Sequence, residues 1–572
     1  MDLKNIVLDG LKGTEFEKSG IEKLLVCNSG VDKGEISLPC FALAKELHKS
    51  PIAIAEEIKK SIEEADKSNQ FFEKIDTING YINFFVKKDF VIKQVQKEVI
   101  PNPEIFGATN IGEGKTVFFD YSSPNMAKYL HIGHLKTTFI GDILKKIYSF
   151  LGFKTVGINY IGDYGLPFGK MIVAYKHWGK DSEIKKKGID AIQDLYVKFH
   201  KEETDNPELM AEAQEWSKKI EEKDPEALRI YNWFIDISKK EAEKIYKLLD
   251  VSFDSWRGES YYTDKMDPVI KELSDRKILI TSEGAKGVDL SEYGMGFCLI
   301  KRSDGVSLYA TRDLAAVEDR YQNYHFDKGI YVTDVAQKLH FQQWFKCVDL
   351  MKKPYAGKLQ HVAYGRYSLT TGKIASRMGK QALIIDLYNG IYQKALEIVK
   401  EKGYSYNIEE VAAKITRGSL RYETVKTEII KDSIFNPDSA MSFEGESSPY
   451  MQYTYARCCS ILNKCGGLSE KITGKEIDAL DTTDLSDDTS FSIIKQINEF
   501  PNVIRDVYNR TEPFLLTQYL ISLCSLFNKY YNSTRIIENG IVNNSRAQLV
   551  KMIKIVLTNG LNLLGIPLIE KM

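Results

Sequence analysis

The chain has 572 residues, of which 43% are hydrophobic, 27% charged and 11% aromatic. That length predicts about three to five folding units, and the composition excludes a disordered, a collagen-like and a disulfide-dense chain. The 78 Lys and Arg and the 79 Asp and Glu leave a formal net charge of -1, so any nucleic-acid partner must be bound by local basic patches.

The cysteine pattern and the N-terminus indicate a cytoplasmic protein. The eight cysteines form no C-x-x-C pair and no regular spacing, so neither a zinc site nor a disulfide framework is predicted, and no protein-bound metal is expected. The N-terminus lacks a basic segment followed by an apolar run. No stretch approaches the roughly 18 apolar residues that a membrane-spanning helix needs, so we expect no membrane partner.

Residues 1–100 are predicted to form a small α+β domain. Helix-like patterns run from Phe41 to Lys49 and from Pro51 to Glu64, and the β-rich string GYINFFVKK covers Gly80 to Lys88. The segment from Pro101 to Lys115 concentrates Pro, Gly and Asn, which interrupt regular elements, so it is predicted to be a linker.

A second domain, residues 101–405, is predicted to be an α/β unit. The strand TVFFD, from Thr116 to Asp120, is followed by a glycine-bearing loop, an amphipathic helix and the strand KTVGINYIG, which together predict a right-handed βαβ unit. A charged, helix-patterned insertion covers about 181–250. Further strand-like runs, expected to join the same sheet, lie at 296–302, 329–335 and 359–365. We therefore predict a Rossmann-like, doubly wound parallel sheet that binds ligands at its carboxyl edge.

The last domain, residues 406–572, is predicted to be a helical bundle. Amphipathic helices dominate, for example Leu515 to Tyr530 and Arg546 to Leu563, and no strand-like run is expected after about Ile408.

An H-x-G-H string, His131 to His134, lies between the first strand of the second domain and the helix that follows it. At a helix N-terminus, backbone N–H groups and the helix dipole favour an anion, and Gly133 lets a ligand ring approach the backbone closely. The pattern predicts a triphosphate site. The alternative is a pair of ordinary histidines on a buried loop.

The residues around this string resemble the HIGH signature of class I aminoacyl-tRNA synthetases in its arginyl form. SPNMAK, from Ser123 to Lys128, precedes HIGH, and NYIGDYGLPFG, from Asn159 to Gly169, resembles the family's N-x-x-GDWG-x-QFG. YATRDLAA, YVTDVAQKLHFQQWF, SFEGESSPYMQYTYAR and the terminal GIPLIEKM follow in the family's order. On these motifs the chain is identified as a member of the arginyl-tRNA synthetase family.

The resemblance implies a reaction and a set of partners. The family attaches L-arginine to tRNA(Arg) through arginyl-adenylate, using ATP with Mg2+ as a substrate complex and releasing AMP and pyrophosphate. It also activates arginine only when tRNA is present, and we expect the same here. Because no self-complementary apolar helix stands out, a monomer is expected. Two other functions compete: an inactive RNA-binding paralogue, and a nucleotidyltransferase that acts on a small molecule.

The resemblance also implies roles for individual residues. His131 and His134 would stabilise charge on the phosphates, and Gly133 would lie under the adenine. Recognition of a guanidinium in a closed pocket requires carboxylates, because a buried unpaired cation is costly and the planar fork pairs bidentately with an acid. Tyr309 and Asp313 are four residues apart and so share one helical face. The residues expected to bind arginine are Asn125, Glu259, Tyr309, Asp313 and Gln337.

The second class I signature, KMSKS, departs from the family pattern. The loop TGKIASRMGK, from Thr371 to Lys380, lacks the central lysine, which in the family neutralises the pyrophosphate. Lys128 occupies the position of the lysine thought to substitute for it. Lys373, Arg377 and Lys380 remain alternatives. The loop residues expected to bind ATP are Lys373, Ser376, Arg377 and Lys380.

Two smaller departures are Tyr164, where the family has Trp, and Pro167, where it has Gln. Tyr keeps the aromatic ring, but Pro cannot donate a hydrogen bond.

For tRNA, the resemblance implies contact with the elbow by the first domain and with the anticodon by the last, where aromatic faces and a guanidinium suit bases and phosphates. For several of these residues, the alternative is packing in the protein core. The residues expected to contact tRNA are Asn83, Tyr450, Gln452 and Arg457.

Overall fold

The computed structural model describes residues 3–17, 19–27, 34–65, 71–303, 308–370, 383–403, 407–466 and 482–572. In these ranges the helices α1 to α19 are, in chain order, Leu3–Gly10, Phe41–Leu47, Pro51–Ala65, Lys88–Val99, Ile132–Phe150, Leu166–Trp178, Asp181–Lys187, Ile189–Glu202, Glu208–Glu221, Pro225–Leu249, Met266–Asp275, Tyr309–Tyr324, Lys338–Leu350, Ile384–Glu401, Ile408–Val425, Ser448–Lys464, Asp488–Arg510, Phe514–Ser533 and Asn544–Leu564. None of these helices is both long and apolar enough to cross a membrane.

The strands β1 to β15 are, in chain order, Val26–Cys27, Ile36–Pro39, Phe72–Ile78, Tyr81–Val86, Thr116–Asp120, Lys154–Ile158, Ile280–Ser282, Ala285–Asp289, Phe297–Lys301, Lys328–Asp334, Leu359–Tyr364, Tyr367–Leu369, Ser433–Phe435, Ile537–Glu538 and Ile541–Val542. The first four form an antiparallel sheet in the order β1-β2-β4-β3, on which α3 packs.

The central sheet confirms the predicted parallel, doubly wound architecture. Its order is β11-β10-β5-β6, and all three pairings are parallel. Neighbouring residues of β5 face different cores: Phe119 packs with α5, whereas Phe118 packs with residues of α12 and α13. Helices therefore cover both faces of the sheet, and the carboxyl ends of its strands share one edge.

The strand predicted at residues 296–302 is correct, but its assignment to the parallel sheet is wrong. It is β9, which pairs antiparallel with β8 in a separate sheet of order β7-β8-β9. Along β9 only Cys298 and Ile300 are buried, with partly exposed residues between them. This alternation is typical of an antiparallel strand with one covered face, and periodicity alone does not identify the sheet that a strand joins.

The C-terminal region is a helical bundle, as predicted, with α18 and α19 covering the two helices expected there. The expectation that strands end at about Ile408 is wrong, because short strands interrupt the bundle. Of these, β13 pairs in parallel with β12 and so joins the bundle to the chain that leaves the central sheet.

Buried polar contacts fix helix α5, which begins at the H-x-G-H string, against the bundle. The Asp142 carboxylate is 2.6 Å from the Arg421 guanidinium of α15, and the Arg421 side chain is fully buried. Six residues earlier on the same helix, the Lys136 ammonium donates to the carbonyls of Gly365 and Lys431. The helix that presents the two histidines is thus held at two points by residues from the C-terminal half of the chain.

Candidate active site

A cleft of about 870 Å³ opens at the carboxyl edge of the central sheet. The loops after β5, β6 and β10 and the first turns of α5 and α12 contribute to its walls. The sequence-predicted residues that line it are Asn125, His131, Gly133, His134, Glu259, Tyr309, Asp313 and Gln337. The structure therefore brings the two histidines and every residue expected to bind arginine into one cleft.

The two histidines are oriented by backbone hydrogen bonds. The Gly133 N–H donates to Nδ1 of His131 at 3.2 Å, and the His131 N–H donates to Nδ1 of His134 at 3.1 Å. A Cβ on Gly133 would lie 3.0 Å from Cε1 of His131, so a larger residue would displace this ring. Because each Nδ1 accepts a hydrogen bond, a neutral ring carries its proton on Nε2. Both histidines can therefore offer an Nε2–H donor to a ligand.

Burial keeps these imidazoles neutral. It lowers the pKa of His134 to about 3, with a smaller contribution from His131. Burial and the nearby Lys128 ammonium also lower the pKa of His131. At neutral pH the pair therefore acts on an anion by donating hydrogen bonds rather than by carrying a full positive charge.

The loop between β5 and α5 has an unusual backbone. Ser122, Ser123 and Ala127 all have positive φ values, of 72°, 49° and 63°. Such conformations cost energy in residues other than glycine and persist where the surroundings fix them. Here the Ser123 hydroxyl donates to Asp120 at 2.9 Å, and the Ser123 N–H donates to the Asn159 side chain. The loop thereby holds Asn125 in the wall of the cleft.

Asp120 is a cleft residue that the sequence reasoning missed. It is the last residue of β5, it lines the cleft, and its carboxylate lies 2.8 Å from the buried guanidinium of Arg320. Burial raises its pKa, whereas Arg320 opposes that rise. Its position at the carboxyl end of a predicted parallel strand was the available signal. The same signal marks Asp334, the last residue of β10, which also lines the cleft.

Asp313 and Glu259 face the cleft with different partners. The Asp313 carboxylate is 2.7 Å from Nε2 of His340, a further cleft residue that was not predicted. The Glu259 carboxylate is 2.9 Å from the Arg312 guanidinium. Burial raises the pKa of Glu259 to about 7, against the lowering effect of Arg312.

Asp163 fixes the turn that presents Glu259. The backbone N–H and the hydroxyl of Ser260 donate to its two carboxylate oxygens, at 2.8 and 2.7 Å. A Cβ on Gly258 would lie 2.5 Å from the same carboxylate, so only glycine fits there. The G-E-S string therefore folds around Asp163, which the sequence reasoning did not single out.

Of the cations proposed to replace the KMSKS lysine, Lys128 is described, and it does not line the cleft. Lys128 is exposed, and its ammonium lies 5.4 Å from the Tyr196 ring of α8. Lys373, Ser376, Arg377 and Lys380 lie outside the described residues. The residues that flank their loop are nevertheless close to the site. Ser368 lines the cleft, and Leu383 forms a β-bridge with His131.

The two smaller departures have structural explanations. Pro167 lies in the first turn of α6, where a missing backbone N–H costs no helical hydrogen bond. The Tyr164 hydroxyl donates to Glu221 of α9 at 2.6 Å, and its ring lies 4.6 Å from the Arg312 guanidinium. Tyr164 therefore joins the inserted helices to the wall of the cleft.

The residues expected to contact tRNA are not equally available. Asn83 is almost covered and accepts a hydrogen bond from Ser37, on the same face of β4 as the exposed Tyr81. Gln452 is 0% exposed, and its amide donates to two backbone carbonyls, one of them of Pro567. This burial argues against a contact with tRNA, and we assign Gln452 to the packing of the bundle.

Tyr450 and Arg457 lie on α16, and Arg457 borders a pocket. Tyr450 is half-buried in the main core. The Arg457 guanidinium lies 4.9 Å from the Tyr453 ring and 4.8 Å from the Tyr531 ring, in a pocket of about 370 Å³. The charged side chains that line this pocket are Arg457, Lys464 and Arg535.

Across the described ranges, no group of three or more His, Cys, Asp or Glu side chains is arranged to hold a metal ion.

Three family models match the chain. They are described as "Arginyl tRNA synthetase N terminal domain", over residues 1–86, "tRNA synthetases class I (R), catalytic domain", over 94–437, and "DALR anticodon binding domain", over 451–572. Among curated proteins, the arginine–tRNA ligase of Alkaliphilus metalliredigens is 43% identical over 569 residues, which cover 98% of each chain. That of Halothermothrix orenii is 41% identical, with 96% of each chain covered.

Two solved structures have the same fold. The arginyl-tRNA synthetase of Plasmodium falciparum has a TM-score of 0.79 at 24% identity and covers 100% of this chain and 98% of its own. The Thermus thermophilus enzyme has a TM-score of 0.77 at 23% identity and covers 100% and 99%.

Proposed function

The chain belongs to the arginyl-tRNA synthetase family, and on this premise we propose that the cleft at the sheet edge binds L-arginine and ATP side by side. The reaction is the ATP-dependent attachment of arginine to tRNA. The arginine carboxylate attacks the α-phosphate of ATP, which gives arginyl-adenylate and pyrophosphate. The 2′-hydroxyl of the terminal adenosine of tRNA then takes the arginyl group and releases AMP.

The residues of the cleft supply positioning and charge stabilisation rather than a covalent nucleophile. In this proposal the Nε2–H groups of His131 and His134 donate to the phosphate oxygens, and Gly133 lies under the adenine. Asn125 and Gln337 orient the α-amino and carboxylate groups of arginine. Magnesium enters with ATP as part of the substrate complex.

The observation that carries this proposal is the set of acids at one end of the cleft. Asp120, Glu259 and Asp313 all line it. Arg320 pairs with Asp120 and Arg312 with Glu259, whereas Asp313 pairs only with His340 among the described residues. A cleft with an excess of carboxylates favours a cation, and the planar fork of a guanidinium pairs best with such oxygens.

The direct test is attachment of labelled L-arginine to tRNA with ATP. Labelled arginyl-tRNA should form only when ATP and tRNA(Arg) are both present, and ATP–pyrophosphate exchange should need tRNA as well. Binding of tRNA without any attachment would favour an inactive RNA-binding paralogue. Transfer of AMP to a small molecule in the absence of tRNA would favour the nucleotidyltransferase.

We propose three functional regions, each with its own part in this reaction. Residues 1–100 contact the tRNA elbow, residues 101–405 carry out the chemistry, with the helical insertion at 181–250, and residues 406–572 bind the anticodon. The chain acts as a monomer in the cytoplasm.

The pocket beside Arg457 is the proposed tRNA contact of the bundle. Tyr453 and Tyr531 offer ring faces on which a base can stack, and Arg457 offers a guanidinium next to both. Lys464 and Arg535 add positive charge at its rim, which suits the phosphate backbone.

Replacing Arg457 by Gln is expected to raise KM for tRNA by about tenfold to a hundredfold, because a base stacked at this site is worth about 1 to 3 kcal/mol and the charge that would pair with phosphate is lost as well. The kcat at saturating tRNA and the KM for arginine should change little. Lys495→Gln is the matched control, since its ammonium lies over the Phe491 ring of the same bundle but outside the pocket. An unchanged KM for tRNA in Arg457→Gln would place the tRNA contact elsewhere.

A further inference from the structure

The carboxylates of Asp120, Glu259 and Asp313 line the same cleft and interact electrostatically. The Asp313 carboxylate contributes to the raised pKa of Asp120, and Asp313 and Asp163 both contribute to the raised pKa of Glu259. Ionised carboxylates that lie this close repel each other, so they need cations or protons. The cation or proton that neutralises each carboxylate therefore determines which substrate the cleft can accept.

Two of these acids already have a guanidinium from the protein. Arg320 lies 2.8 Å from Asp120, and Arg312 lies 2.9 Å from Glu259. Both arginines belong to helix α12, as does Asp313. Asp313 has only His340 as a partner within the described residues, and a histidine is charged only when protonated.

The Arg312 side chain is held firmly in this position. It is 5% exposed, and its guanidinium lies over the Tyr164 ring at 4.6 Å. Its Nη1 pairs with Oε2 of Glu259, while Oε1 makes no hydrogen bond to the described residues. Glu259 lines the cleft, so its second oxygen is the one left for a ligand.

We propose that Arg312 is a specificity-determining residue, which stabilises the ionised form of Glu259 so that the cleft presents the negative charge of Asp313 and one oriented acceptor, on Glu259, to a single guanidinium. This inference rests on the proposed role of the cleft in binding arginine. The Arg312 guanidinium thus pairs with one carboxylate oxygen of Glu259, and the substrate guanidinium uses the other.

The physical reason is a competition between a proton and the substrate. Without Arg312, Glu259 would face Asp163 and Asp313 with no cation beside it, and it would hold its proton to a higher pH. A protonated Glu259 cannot pair with a guanidinium, so arginine would have to displace that proton. The titratable and charged groups that face Glu259 are Tyr160, Asp163, Tyr164, Arg312 and Asp313.

The test is the pH profile of kcat/KM for L-arginine in tRNA aminoacylation, with ATP and tRNA saturating, because this quantity reports ionisations of the enzyme before arginine binds. Burial raises the pKa of Glu259 to about 7, so the wild-type profile should fall on the acid side near that pH. In Arg312→Gln the acid limb should move to higher pH by about one unit or more, and activity should recover at alkaline pH.

Two further variants separate this role from a structural one. Arg312→Lys keeps a cation and should leave the acid limb close to its wild-type position, even if the loss of the fork lowers kcat/KM at every pH. Glu259→Gln should lower kcat/KM and remove the effect of residue 312 on the limb, so that the double variant resembles Glu259→Gln alone.

Each contrary result has its own meaning. If Arg312→Gln lowers kcat/KM by the same factor at every pH while Glu259→Gln impairs arginine use, Arg312 only supports the wall of the cleft and the inference is overturned. If Glu259→Gln leaves kcat/KM for arginine unchanged, Glu259 is not an arginine ligand, and both its proposed role and this inference fall. Thermal unfolding of each variant shows whether it is folded at the assay temperature.

Discussion

Replacing Asp313 by Asn is expected to lower kcat/KM for L-arginine by about two to three decades, while KM for ATP changes little. Asp313 is an acid of the cleft that no arginine of the described residues neutralises, so the substrate guanidinium is its natural partner. Removing one partner of a buried ion pair costs about 3 to 5 kcal/mol, and Asn retains an oxygen that still accepts a hydrogen bond, so the lower part of that range applies.

The matched control is Asp319→Asn, on the same helix α12. The Asp319 carboxylate is also buried and pairs with Arg257 at 3.0 Å and with Lys265 at 2.7 Å, but it does not line the cleft. This variant should lose stability and yet keep its kcat/KM for arginine close to the wild-type value. A fall of less than about threefold in Asp313→Asn would identify Asp313 as a structural acid and would contradict the assignment of the pocket.

The parts of the fold that follow from local pattern were predictable. The order strand, helix, strand after residue 115 predicts a parallel sheet, and the structure has one. The sheet to which β9 belongs was not predictable, because alternation along a strand reports burial and not the identity of the neighbouring strand. Which residues of a bundle helix face the core was also not predictable. Gln452 is polar, and yet it is buried and donates a hydrogen bond to the carbonyl of Pro567, more than a hundred residues later.

In the candidate site, too, local features were predictable from the sequence and contacts between distant residues were not. Motifs identify residues that are close in sequence, such as His131 and His134, but not the Nδ1 hydrogen bonds that fix their tautomers. Asp120 could have been found from its place at the end of a predicted strand. The pairing of Arg312 with Glu259 could not, because nothing in the sequence relates residues that meet only through the packing of α12 against the segment after α10.

The departing pyrophosphate needs a cation that stabilises its negative charge. Adenylate formation adds negative charge to the β- and γ-phosphates, and the loop that would carry the KMSKS lysine reads TGKIASRMGK instead. Lys128 remains the proposed replacement, although it does not line the cleft. Its ammonium is close enough to lower the pKa of His131, the residue at the N-terminus of α5. A rotation of its flexible side chain is therefore the movement that would carry the charge to a bound triphosphate.

Lys128→Met is accordingly expected to slow adenylate formation in single-turnover assays by about two decades or more, while folding and tRNA affinity are retained. To reach the phosphates, Lys128 must leave the Tyr196 ring, and an exposed contact of that kind is worth only about 0.5 to 1 kcal/mol, well below the gain from neutralising a triphosphate. Lys198→Met is the control, because its exposed ammonium lies 4.8 Å from the Trp178 ring of α6 and outside the cleft. If Lys128→Met forms adenylate at the wild-type rate and either Lys373→Met or Lys380→Met does not, the compensating charge belongs to the loop.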